Sequence, residues 1–238
     1  MEMVFIDETS DTKFKNYFGL CLATINSFHY KTLKDGFHSI LRESGWNENI
    51  EFKGAYLFSS SCGDPQIGID KRIDICSNLL DLNSSNTNAR MKFYYASDQD
   101  CSNQKNAYLF LCQKLLKKAL VKVQKGRGKD IVSINCDNRN DIDYREINNV
   151  ISPILKEKEY TLYEEVVMRN SAFETIGILY ADIIGYLAAK IETIANDSEL
   201  FESIPPEQFE NNGKIKKLKS STALIEKIKK LELYEVKK

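Results

Sequence analysis

Histidine is scarce in this chain. Of 238 residues only two, His29 and His38, are histidines. They lie nine apart and outside every acidic motif, so a zinc centre is not expected. Six cysteines, Cys21, Cys62, Cys76, Cys101, Cys112 and Cys136, include no C-x-x-C pair. Several sit inside apolar runs and are expected to be small core residues of a reducing cytosol. No apolar run reaches 18 residues, so no membrane span and no membrane partner are expected. The N-terminus enters a strand pattern without the basic and apolar regions of a signal peptide, and the expected location is cytoplasmic. Internal repeats and low-complexity tracts are also missing.

What remains is ordinary in amount and uneven in distribution. Apolar residues make up 42% and charged residues 28%, with a net charge of −1. That is the composition of a globular domain able to bury a core. Residues 214–238 nevertheless hold nine lysines against three glutamates, and residues 102–129 hold eight basic side chains and no acid. Either block is a solvated helix face or a surface for a polyanion.

Strand patterns are expected at 3–7, 17–25, 91–97, 130–137 and 164–168. Helical spacings are expected at 30–45, 69–82, 105–125, 143–157 and 173–192, with a lysine-rich helix over 215–232. Strands first, then alternating helices and strands, point to an α/β mixed sheet flanked by helices. The simplest partition is a domain over 1–197 with a loop and lysine-rich helical appendage over 198–238.

Two apolar strands end in aspartate, "VFID" at Asp7 and "INCD" at Asp137. If they lie adjacent and parallel, their ends sit about 5 Å apart and open onto the crevice where α/β sheets bind ligands. Two anions that close repel unless a cation sits between them. The apolar helix 173–192 carries one charge between Glu174 and Lys190, Asp182, with Gly185 one turn on to leave room. Such a carboxylate is either hydrogen-bonded in place or bound to something positive. Glu51, in "NIEFKG", is a further candidate beside Lys53; an exposed loop pair is the plainer reading. An all-carboxylate set suits Mg²⁺ or Mn²⁺, and paired ions of that kind perform phosphodiester hydrolysis.

The "FIDETSD" start, "EFKG" near residue 51, the strand end "NCD" and "YADIIGY" in a late helix together resemble the domain of unknown function 3800 family, over roughly residues 1–195. The resemblance implies a ribonuclease H-like fold, with strands 1–3 antiparallel and later strands parallel. It also implies a metal-dependent nuclease of RNA or DNA. Asp7, Glu51, Asp137 and Asp182 would be its metal-binding and catalytic set. Glu8 would be an alternative ligand, Lys53 a contact to the scissile phosphate, and Ser171 a local cap before the last helix. Thr9 stands where that family has serine, and Leu179 where it commonly has glutamine.

Nucleic acid is the expected partner, held by Lys114, Lys117, Lys118, Lys122 and Lys125 through phosphate contacts. Tyr94, Tyr95 and Tyr108 are either base-stacking platforms or core. Two other functions fit a strand ending in aspartate. One is a non-catalytic nucleic-acid- or protein-binding member of the fold. The other is an aspartyl phosphatase, which needs a second aspartate where Thr9 stands.

Overall fold

The computed structural model describes residues 1–10, 17–47, 49–59, 64, 66–85, 90–98, 101–122, 130–169, 175–202, 223–224, 226–228 and 233–235, with backbone alone for 10, 192–202 and 233–235. Seven strands form one sheet: β1 (Glu2–Ser10), β2 (Phe18–Asn26), β3 (Lys92–Asp98), β4 (Asp130–Asp137), β5 (Tyr160–Leu162), β6 (Val167–Arg169) and β7 (Leu233–Glu235). Helices that cover it include α1 (Ser27–Glu43), α2 (Ile69–Ser85), α3 (Gln104–Ala119), α4 (Tyr144–Lys158) and α5 (Ile176–Glu202).

The spatial order is β5-β4-β1-β2-β3-β7, with β6 also paired to β4. β2 runs antiparallel to both of its neighbours, β1 and β3. β4 runs parallel to β1, and β5, β6 and β7 run parallel to their neighbours. This is the mixed sheet expected from the sequence.

Side-chain alternation sorts the core into two layers. Phe5, Cys21, Ala23, Phe93 and Tyr95 face α1, α2 and α5. Val4, Ile6, Leu20, Leu22, Ile134 and Cys136 face α3 and α4. Tyr94, Tyr95 and Tyr108 are all buried within these layers, so they are core rather than stacking platforms. The five described cysteines are buried and unpaired; Cys62 lies outside the described residues.

α5 packs directly against β1 and β2 at two of its glycines, where no side chain intervenes. A Cβ on Gly177 would fall 2.2 Å from the Phe5 ring, and one on Gly185 would fall 3.1 Å from the Cys21 Cβ. The space left by Gly185 is therefore taken up by β2 rather than left open beside Asp182.

Several boundaries differ from the sequence expectation. α3 stops at Ala119, so the basic helix is shorter than 105–125. β5 and β7, each three residues long, fall below the length at which alternation is legible. Among the described residues of the C-terminal segment, Leu224 and Ile228 are buried in the α5-side core, and β7 pairs with β3. Lys227 also pairs with Asp81 on α2, at 2.5 Å. Among the described residues, no helix is long and apolar enough to cross a membrane.

Candidate carboxylate site

β1 and β4 are adjacent and parallel, with Ile6 beside Cys136. The next step in that register brings Asp7 beside Asp137. Both belong to the stripe facing α5: Phe5 and Asp7 on β1, and Ser133, Asn135 and Asp137 on β4. Asp182 comes down from α5 onto the same place. Asp7 is 7% exposed. Its carboxyl is pushed well above the ordinary range by burial, then by the charges of Asp182, Asp137 and Glu8. Burial also drives Asp182 up, to about 6, with Glu51 and Asp137 adding to the rise.

Glu51 and Lys53 reach the crevice from the segment between α1 and α2. Gly54, which begins a short 3-10 turn over Gly54–Tyr56, donates its N–H to Asp182 Oδ2 at 2.6 Å. Lys53 Nζ is 2.9 Å from Glu51 Oε2. Partial burial pulls the Lys53 ammonium down, but Glu51, Asp182 and Asp137 together hold it above its usual value. The other Glu51 oxygen, Oε1, is buried without a hydrogen-bond partner. Arg72 steadies this segment from beneath. Its guanidinium is 3% exposed and donates to the carbonyls of Tyr56 and Ser59.

Glu8 is not brought to this site. It points to the opposite face of the sheet, where Arg139 meets its Oε1 at 3.1 Å. The Arg139 guanidinium also lies over the rings of Phe18 and Tyr108 and holds Asp141 through two hydrogen bonds at 2.9 Å. Strand alternation decides this, since neighbours on β1 face opposite sides.

The basic residues of α3 are also placed away from the carboxylates. α3 packs on the face opposite α5, and its C-terminal end lies near Glu2, at the far end of β1. Lys117, Lys118 and Lys122 are exposed there, and Lys114 lies over the Phe110 ring. Lys125 and Ser171 lie outside the described residues.

The donor set fits a hard divalent ion in kind, because it is all oxygen and includes an unpartnered carboxylate oxygen on Glu51. Among the described residues, however, no three His, Cys, Asp or Glu side chains are gathered closely enough to hold a metal as they stand. An ion would have to draw them together. Burial and the neighbouring carboxylates favour the protonated form of Asp7, which a cation would have to displace.

No protein-family model matches the chain, and no curated protein does. Among solved structures, it is similar to the crystal structure of ribonuclease H2 from Pyrococcus horikoshii OT3. The two share 17% identity and a TM-score of 0.44, over 96% of this chain and 99% of that one. The chemistry of the site rests on this chain's own carboxylates.

Sequence reasoning passed over Gly54, Asn135, Arg139 and Arg169. Gly54 stood in a quoted motif, but its contact with Asp182 spans 128 residues. The alternation of "SINCD" placed Ser133 and Asn135 on the Asp137 face, a signal that was available and unused.

Proposed function

We propose that this chain is a ribonuclease H-like nuclease that hydrolyses phosphodiester bonds of RNA or DNA with Mg²⁺ or Mn²⁺ at Asp7, Glu51, Asp137 and Asp182. The observation that carries the reading is Asp7: a buried carboxylate, crowded by Asp137 and Asp182, whose hydrogen bond comes from the N–H of Glu8 at 2.8 Å and not from a cation. Such a group is costly as an anion, so it must either keep a proton or meet a cation. The motif resemblance to the domain of unknown function 3800 family supports the same residues.

A bound divalent ion would supply charge neutralisation and activate water for attack on phosphorus. The chain's residues do the rest. Asp7 and Asp137, fixed on adjacent strands, would hold the ion at the crevice. Asp182, oriented by the Gly54 N–H, would accept the proton of the attacking water or complete the ligand set. Lys53 would transfer its ion pair from Glu51 to the phosphate, freeing both Glu51 oxygens for the metal.

The Glu51–Lys53 pair and the open carboxylate arrangement favour a second reading, a nucleic-acid-binding protein without turnover. A panel of labelled single- and double-stranded RNA, DNA and hybrid, incubated with Mn²⁺ beside Asp7→Asn, separates the two. Cleavage abolished by Asp7→Asn supports the nuclease. Salt-dependent binding with no cleavage under any divalent ion supports the second reading. Hydrolysis of a small phosphomonoester alone would revive the aspartyl phosphatase.

A further inference from the structure

We propose that Arg169 anchors a backbone phosphate of the nucleic acid beside the carboxylate crevice, an inference that rests on the nuclease reading and names how its substrate is gripped. Arg169 ends β6, in register with Asp137 on β4. Paired residues on neighbouring strands share a face, so its side chain stands on the same side of the sheet as Asp7 and Asp137. It is one strand from Asp137 and two from Asp7, or about 5 and about 10 Å of backbone. The phosphate it meets is therefore a neighbour of the one at the carboxylates.

The guanidinium is aimed. Arg169 Nε donates to Asn135 Oδ1 at 2.9 Å. Asn135 is only 3% exposed, and its Nδ2 is taken by the Val4 carbonyl at 3.4 Å and Ser133 Oγ at 3.2 Å. Burying an amide and a hydroxyl on a core-facing stripe costs free energy that apolar side chains there would avoid. What this polar stripe accomplishes is to fix Asn135 Oδ1, and that oxygen's partner is Arg169.

The guanidinium is also unspent. Arg169 is exposed and, among the described residues, forms no ion pair with any carboxylate, although Asp137 lies across the ladder. With Nε occupied, the two terminal amino groups remain as a planar pair of donors. That is the geometry that meets two phosphate oxygens at once. The ammonium of Lys53, 2.9 Å from Glu51 Oε2 and within electrostatic reach of Asp182 and Asp137, is a second cation at the same carboxylates for a neighbouring phosphate.

The test is binding rather than turnover. In the full-length Asp7→Asn protein, the affinity for labelled single- and double-stranded RNA and DNA is measured from 50 to 300 mM salt, with and without Arg169→Ala. Arg169→Ala should weaken binding about tenfold and lower the slope of log K against log salt by about one, the signature of one lost phosphate contact. Arg169→Lys should recover part of the affinity, since it keeps the charge and loses the fork. Mn²⁺ binding by Arg169→Ala in the otherwise native chain should match the parent. Unchanged affinity and slope overturn the anchor; so does loss of Mn²⁺ binding, which would make Arg169 an organiser of the carboxylates. If Arg169→Ala has the stated effect while the native chain cleaves nothing under any divalent ion, the anchor stands and the nuclease reading falls.

Discussion

Gly54 and Asp182 meet across 128 residues of chain, the amide of one donating to Oδ2 of the other at 2.6 Å. The contact depends on the missing side chain. A Cβ on Gly54 would lie 2.6 Å from Tyr186 Cβ and 3.1 Å from the Asp182 carbonyl oxygen. Gly54→Ala should push the turn off α5 and break the hydrogen bond to the carboxylate. A hydrogen bond to a charged group contributes about 2 kcal/mol, and the loss should appear as a lower urea midpoint with an unchanged m-value. Under the proposed function, divalent-ion-dependent cleavage should fall with it, because Asp182 and the Glu51–Lys53 segment lose their common register. An unchanged midpoint would mean that the turn does not need the contact.

Arg139 joins Glu8, Asp141 and two aromatic rings on the opposite face, where its side chain is 8% exposed. Arg139→Ala removes the partner of Glu8 and Asp141 and should cost about 1–2 kcal/mol, less than breaking a fully charged buried pair, because Glu8 takes up a proton instead. Glu8→Gln should cost much less. Burial already raises Glu8 to about 7, with Arg139 opposing the rise. Half-protonated at neutral pH, it has little charge to lose. The double variant should then be less destabilised than the sum of the two. Urea unfolding of all three proteins checks the order, and Glu8→Gln retaining activity would confirm that Glu8 is no metal ligand.

The α3 lysines lie on the far face and at the far end from Asp7. Lys117→Ala with Lys118→Ala should change nucleic-acid affinity by less than about twofold, well below the loss expected of Arg169→Ala. Equilibrium binding at one salt concentration compares them. A larger loss in the lysine variant would place the nucleic acid across α3.

How much of this was legible in the sequence follows from the range of each interaction. The Asp7–Asp137 pair was readable because a strand ending in aspartate is a local pattern, and adjacency of the two strands was the single added assumption. The mixed sheet was readable for the same reason. Glu8 was misplaced although period-two alternation on β1 assigns it to the other face. The family motif's adjacent Asp-Glu outweighed that simpler signal. The basic run was real, but charge along a helix does not say which face of the sheet the helix covers. Gly54 and Arg169 act through partners fixed by tertiary packing, which no local pattern encodes.

The titration of the buried acids gives a stability profile of unusual sign. Asp182 is raised to about 6, Glu8 to about 7 and Asp7 well above its ordinary value, in each case chiefly by burial. Each therefore binds its proton more tightly folded than unfolded, so its contribution to stability is complete below the unfolded value near 4 and disappears as pH rises through the folded one. The metal-free protein should gain melting temperature as pH falls from 8 to 5.5, by a few degrees, where a protein held by salt-bridged carboxylates would lose it. Mn²⁺ competes with the protons for the same oxygens. Its stabilisation should be largest at pH 8 and fade toward pH 5.5. Asp7→Asn should flatten the metal-free profile and remove most of the Mn²⁺ effect, whereas Glu8→Gln should remove only the part of the slope near pH 7. Melting curves of the three proteins with chelator and with Mn²⁺ measure all of this. A metal-free profile that falls toward acid would mean that the carboxylates are already neutralised inside the fold, with no vacancy of charge for a divalent ion to fill.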